Sequence, residues 1–148
     1  MTFDFSWLIG GPQGSGVDTA ANIFARVGAK LGYHVFGKRE YHSNIKGLHS
    51  YFVVRISDKK IHSNINGANF MVAFDAETMI RHGLEILKDG AIIYDSSIVN
   101  TTIDEIPTLE TGHRERLSEF FNSKGMEPNV SSILDLAKEN GVKLYPIS

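Results

Sequence analysis

Gly10, Gly11, Pro12, Gln13, Gly14, Ser15 and Gly16 stand between a short apolar run and an amphipathic segment, in the order strand, turn, helix. At such a junction backbone amides point outward and the helix dipole favours negative charge, which is how a turn holds a phosphate or pyrophosphate. One contact of this kind contributes ~0.3 to 1 kcal/mol when exposed and up to ~2 when partly buried, so several must act together. Gly11 and Gly16 have the spacing of the phosphate loop of nucleotide hydrolases, but Val17 and Asp18 occupy the places of its Lys and its Ser or Thr. That argues against ATP or GTP hydrolysis. The dinucleotide fingerprint fails too: Thr19 takes the third glycine place after Gly14 and Gly16, and Gly37 stands where an acid would bind ribose. A plainer reading stays open, in which the glycines only let strand and helix pack closely.

The second group is Lys38, Arg39, Glu40, Tyr41, His42, Ser43, Asn44, Ile45, Lys46, Gly47, Leu48, His49 and Ser50. Read as a long loop over 37–49 after the second strand, it reaches the same carboxyl edge as the glycine turn, in the crevice where ligands collect. Lys38, Arg39 and Lys46 could then bind phosphates, with Ser43, Asn44 and the histidines as hydrogen-bonding groups. A solvated charged loop is the alternative. The six histidines include no pair at three- or four-residue spacing, so no metal site is expected. Ser15 is not in a nucleophile elbow, because Gly14-Ser15-Gly16 is one residue too tight. Asp104 and Glu105 read as solvated loop acids.

The elements that would carry these groups alternate. Phe5 to Ile9 reads as a buried strand; Ala20, Ala21, Phe24, Val27 and Leu31 fall at helical spacing, with Gly32 as a stop; Tyr33 to Phe36 is the next strand. This is a βαβ unit with parallel strands. Tyr51 to Ile56 followed by a turn and a short strand around Ile61 predicts a hairpin. Phe70 to Phe74 is another buried strand, Asp75 caps a helix carrying Met79, Ile80, Leu84 and Leu87 to Gly90, and Ala91 to Tyr94 follows as a strand. Arg114 to Asn122 is helical within an otherwise irregular stretch. Ser132 and Asp135 open a last helix, and Val142 to Ile147 is the last strand. The fold class expected is α/β: a three-layer, Rossmann-like single domain over 1–148, with a mostly parallel sheet, helices on both faces and a hairpin insertion. A helix covering the sheet face is expected after the last strand, so the sequence reads as part of a longer polypeptide.

The composition narrows the chemistry. A chain of 148 residues, 42% hydrophobic and 22% charged, can build a core without disulfides. It has no cysteine, which excludes iron–sulfur ligation, thiolate zinc and a cysteine nucleophile within these residues. No membrane-spanning run and no charged signal-peptide front is present, and the expected location is the cytoplasm. Residues 1 to 60 hold eight Lys/Arg against four acids, whereas the remainder holds seven against thirteen. An anionic ligand therefore suits the first part, and a nucleic-acid partner is not expected.

Gly10 to Ala21 and Lys38 to Tyr51, in this order and separation, resemble the gamma domain of 2-oxoacid:ferredoxin oxidoreductases, in the archaeal form fused ahead of the alpha domain. The resemblance continues through Phe70 to Ala73, the following helix and Tyr94-Asp95-Ser96-Ser97. It implies a share in the oxidative decarboxylation of a 2-oxoacid, such as pyruvate or 2-oxoglutarate, to an acyl-CoA, with ferredoxin as electron acceptor. It further implies that thiamine diphosphate, magnesium and iron–sulfur clusters sit on other domains or subunits. The gamma domain would contact coenzyme A and the alpha and beta portions. Gly14, Ser15, Gly16 and Val17, with Gly11 in the same turn, would offer amides to the CoA pyrophosphate, and Lys38, Ser43 and Lys46 would lie near the ligand or the partner active site. Tyr145-Pro146-Ile147-Ser148 resembles a motif of the domain that follows in that family, and no catalysis is assigned to it. A pure assembly module without a ligand, or a stand-alone nucleotide-binding protein, are the alternatives.

Overall fold

The computed structural model describes residues 2–41 and 48–148. Six strands form one sheet: β1 (Asp4–Pro12), β2 (His34–Tyr41), β3 (His49–Ser57), β4 (Ala68–Ala73), β5 (Ile86–Asp95) and β6 (Lys143–Ile147), in the order β2-β3-β1-β4-β5-β6. Four α-helices among the described residues accompany it: α1 (Val17–Lys30), α2 (Ala76–His82), α3 (Thr111–Ser123) and α4 (Val130–Glu139). β1, β4, β5 and β6 are mutually parallel neighbours, so the expected mostly parallel α/β sheet is present.

Alternation along the strands sorts the core into two layers. Trp7 and Ile9 of β1, with Val54 and Ile56 of β3, pack beneath Val17 and Ala21 of α1. Leu8, Met71 and Ile92 point the other way and join Met79, Phe121, Ile133 and Ala137 beneath α2, α3 and α4. Helices therefore lie on both faces. Gly28 lets α1 settle on β3, since a Cβ there would stand 2.9 Å from Ile56 Cγ2.

Several sequence expectations need correction. β1 and β2 run in the same direction but are not neighbours: β3 lies between them, antiparallel to both. The segment read as a loop from Gly37 is strand as far as Tyr41, because Lys38, Arg39, Glu40 and Tyr41 pair with Val53, Phe52, Tyr51 and Ser50. Its charged composition suits an edge strand, where charge discourages further pairing. The hairpin is accordingly β2–β3, and Ile61 is outside any strand.

The helix after Asp75 is shorter than its spacing predicts. It ends at His82, a 3-10 turn takes Gly83–Glu85, and β5 begins at Ile86. Ile86 is buried while Leu84 and Leu87 remain exposed, so the core selects strand over continued helix. The last helix starts at Val130 rather than at Ser132, because the Asn129 side chain accepts from the Ser132 amide at 3.0 Å and acts as the cap. Ser132 instead donates its hydroxyl to the Glu127 carbonyl at 2.6 Å.

Candidate functional site

The glycine turn joins the carboxyl end of β1 to α1, and its geometry follows from what each group already bonds. Gly14 (φ 88°) and Gly16 (φ 97°) both adopt the left-handed conformation, which side chains with a Cβ rarely tolerate. Ser15 closes back on the turn, its amide donating to the Pro12 carbonyl at 3.1 Å and its hydroxyl to the same oxygen at 2.6 Å. Gln13 donates its amide to the Leu48 carbonyl at 2.8 Å, which ties the start of β3 to the turn. Gly16 is the N-cap of α1 and brings no side-chain acceptor to it. The Val17, Asp18 and Thr19 amides lie ahead of the first helical bond, from Ala20 to Gly16 at 3.0 Å. The same three residues, with Gly14 and Gly16, line a depression of about 200 Å³.

Asp18 on that rim would repel an anion, but its carboxylate pairs with Arg39 at 2.9 Å. Arg39 sits on the α1 face of β2, opposite Phe52. Lys38, one residue earlier, points to the other face and pairs with Glu40 at 2.5 Å, which raises its pKa. There it borders a separate open cavity of about 730 Å³ with Phe36, Glu40, Tyr51, Val53 and Glu85. Of the predicted binding residues, the structure brings together Gly14, Gly16 and Val17. Ser15 is adjacent with its amide engaged. Gly11 serves packing, since a Cβ on it would lie 2.9 Å from Phe74 Cβ. Lys38 lies across the sheet, and Ser43 and Lys46 fall outside the described residues. Among the described residues Arg39 is the cation that pairs at the helix start, and strand alternation at 38–41 is the signal that singles it out.

A second polar group lies on the α2 side of the same edge. Buried His49 and His82 meet Nε2 to Nε2 at 3.1 Å, so one ring donates and the other accepts. His82 Nδ1 is 3.1 Å from Glu85 Oε2, and the Tyr51 ring lies 4.3 Å from that of His82. Burial raises the Tyr51 pKa, which keeps the phenol neutral. Donor atoms of His49, Asp75 and Glu77 lie within 4.8 Å of one another, a possible metal-binding group. Glu77 is already engaged by Arg81 at 2.9 Å and by the Thr108 hydroxyl, and Asp75 by the Thr78 amide at 2.9 Å. Both Glu77 oxygens and Asp75 Oδ1 are thus already hydrogen-bonded, so this donor set fits a structural polar seam better than a metal centre.

A family model described as pyruvate ferredoxin/flavodoxin oxidoreductase matches residues 6–148. The chain is 45% identical over 143 residues to a 2-oxoacid:ferredoxin oxidoreductase 1 subunit alpha from Sulfurisphaera tokodaii, a match covering 97% of this chain and 22% of that protein. It is also 45% identical to the corresponding subunit alpha from Saccharolobus solfataricus, covering 96% of this chain and 22% of that protein. The chain thus spans about a fifth of the length of the curated relatives it matches. Among solved structures, it resembles a 2-oxoglutarate:ferredoxin oxidoreductase from Magnetococcus marinus with 2-oxoglutarate, coenzyme A and succinyl-CoA bound. That match has TM-score 0.59 and 17% identity, over 98% of this chain and 33% of that one. It also resembles a keto/oxoacid ferredoxin oxidoreductase gamma subunit from Geobacter sulfurreducens, with TM-score 0.54, 18% identity and 94% of each chain covered. These two likenesses concern the fold.

Proposed function

The chain belongs to the pyruvate ferredoxin/flavodoxin oxidoreductase family, and from that premise we propose that it is the gamma-type domain of a 2-oxoacid:ferredoxin oxidoreductase, binding part of coenzyme A and contributing to assembly. In the reaction proposed, the bond between the 2-oxoacid carboxylate and its carbonyl carbon breaks, carbon dioxide leaves, and the acyl carbon joins the CoA sulfur, whose thiol proton is released to solvent. Two electrons pass to ferredoxin. Thiamine diphosphate, magnesium and iron–sulfur clusters would supply that chemistry from outside these residues; without a cysteine, this chain offers no thiolate to a cluster.

The observation that carries the CoA reading is the glycine turn: the three residues that open α1 line one depression, and Arg39 pairs with the acid on its rim. An anion placed there gains the amides and the helix dipole together. The CoA bound in the Magnetococcus marinus structure supports the ligand class. Lys38, Ser43 and Lys46 remain in the proposal as groups toward the partner active site or the far end of the ligand.

Isothermal titration of the protein with CoA, ATP and NAD at one salt concentration tests this reading. CoA is expected to bind, Arg39→Ala to weaken it about tenfold by leaving Asp18 uncompensated, and Asp18→Asn to tighten it. Tight ATP or NAD binding without CoA binding would overturn it. The ligand-free assembly module is separated by changing Lys38 and Lys46 together to Ala: unchanged CoA dependence alongside lost assembly favours that second reading.

A further inference from the structure

A chain of buried polar groups crosses the α2 side of the sheet from Glu85 to the start of β3. His49, the first residue of β3, is 1% exposed, and His82, the last residue of α2, is 6% exposed. Their Nε2 atoms stand 3.1 Å apart. The Tyr51 ring packs against both, 5.8 Å from His49 and 4.3 Å from His82. Two apolar side chains would fill such a place without the cost of burying polar atoms. What the hydrogen bond adds is a fixed distance and direction.

The order of protons along this chain follows from Glu85. Its carboxylate only accepts, so the 3.1 Å contact with His82 Nδ1 places the His82 proton on that nitrogen. In a neutral ring this leaves Nε2 as an acceptor, and His49 donates to it from its own Nε2. Glu85 itself is half-exposed on the wall of the 730 Å³ cavity.

α2 gives the chain a firm anchor. Asp75 caps its start, and a Cβ on Gly10 of β1 would lie 2.5 Å from Thr78 Cγ2 in its first turns. Just past its end, a Cβ on Gly83 would stand 2.4 Å from Ile133 Cγ2 of α4. Close packing on both sides leaves the helix little freedom to shift.

From His49 the chain reaches the glycine turn in two steps. His49 lies opposite Pro12 in the β1–β3 ladder, and the carbonyl of the preceding Leu48 accepts from the Gln13 amide at 2.8 Å. The Ser15 bonds to Pro12 are internal to the turn, whereas the Gln13 bond ties it to the residue that leads into β3. A turn built on Gly14 and Gly16 has wide conformational freedom, and holding it ready removes an ordering cost from ligand binding.

We propose that His82, oriented by Glu85, is a positioning residue for the glycine turn: through His49 and Leu48 it holds the Gln13 amide, and with it the opening of α1, in the arrangement that takes an anionic ligand. This deepens the CoA reading and rests on it for the identity of the ligand; the chain of contacts does not.

Steady-state kinetics of the assembled oxidoreductase, with hydrogen exchange read by peptide mass spectrometry over residues 9–17, test the proposal. His82→Leu should raise the CoA KM about tenfold, as expected for one buried hydrogen bond, and leave kcat within about twofold. Exchange at the Gln13 amide should speed by a similar factor while β5 keeps its protection. His82→Gln, whose amide oxygen can take the place of Nε2 and accept from His49, should restore both readouts. Leucine and glutamine fill similar volumes, so a merely structural role would give the two variants the same result. If His82→Leu does not assemble, Glu85→Ala at the half-exposed end should raise the CoA KM about threefold with faster exchange at Gln13. Equal behaviour of the Leu and Gln variants, unchanged exchange at Gln13, or lost protection throughout β5 would overturn the proposal. Faster exchange at Gln13 with an unchanged CoA KM would overturn it where CoA titrates to the protein, and would count against the ligand reading where CoA does not.

Discussion

Asp75 is a carboxylate whose oxygen is needed where its charge is costly. Its Oδ1 caps α2, accepting from the Thr78 amide at 2.9 Å and from the Thr78 hydroxyl at 2.6 Å. Burial raises its pKa, and the Thr78 bonds offset only part of that. A carboxyl with a raised folded pKa binds its proton more readily folded than unfolded, so its ionisation opposes folding as pH rises through that interval. Asp75→Asn keeps the cap acceptor and removes the charge; urea unfolding at pH 7 should find it at least as stable as the parent, and the difference should shrink toward acid pH. Asp75→Ala should lose about 1 kcal/mol through the missing cap. Asp4 behaves oppositely. Arg55 grips it with bonds of 2.9 and 2.7 Å and lowers its pKa, so the pair stabilises above the carboxylate range and fades as pH falls through the lowered value. Asp4→Asn should cost up to about 1 kcal/mol at neutral pH and nothing at strongly acid pH, as read by urea midpoints across a pH series. The same scale explains what could be read of the site beforehand. The glycine turn was legible because its residue types are local. Arg39 was not separated from Lys38, because a charged segment taken as loop carries no alternation to apply. The His49–His82 pair spans 33 residues of sequence and leaves no local trace.

At the level of elements, the turn positions and buried runs identified β1, β4, α1 and the second half of β5, because glycine punctuation and continuous apolar stretches are strong local signals. The β2–β3 pairing was missed for a physical reason: Lys38, Arg39 and Glu40 are poor strand formers that sit on an edge, and partner choice is set by non-local contacts. The end of α2 was misplaced for a related one. Gly83 lies where helix meets helix, and a Cβ there would stand 2.4 Å from Ile133 Cγ2 and 3.1 Å from Met79 Sδ. The chain has to let α4 approach at this point, which helical spacing in the sequence does not report. Gly83→Ala should therefore destabilise by about 1 to 3 kcal/mol through overpacking, even though alanine is the better helix former. A guanidinium titration showing equal or greater stability would mean that α4 is not packed this closely.

In the whole molecule the charge asymmetry of the sequence becomes an asymmetry in space, with the basic segment building β2, β3 and α1 and the acidic one building β4 to β6 with α2, α3 and α4. The ion pairs resolved among the described residues do not bridge these halves. Asp4–Arg55, Asp18–Arg39 and Lys38–Glu40 stay within the first, while Glu77–Arg81 and Arg81–Glu110 stay within the second. The seam is made by β1 pairing with β4, from Trp7 opposite Phe70 to Gly10 opposite Ala73, and by the Ser6 amide donating to Asn69 Oδ1 at 2.9 Å. Gly10 also accepts from the Phe74 amide at 3.0 Å, and a Cβ on it would lie 2.5 Å from Thr78 Cγ2. Backbone bonds and close packing of this kind are insensitive to screening, whereas attraction between separated surface charges falls off beyond a Debye length of about 10 Å at 0.1 M salt and 3 Å at 1 M. Raising sodium chloride from about 0.1 to 1 M should therefore move the thermal midpoint by no more than a few degrees, while Gly10→Ala should lower it strongly at every salt concentration. A steep loss of stability with salt in the parent protein would show instead that long-range charge attraction joins the two halves.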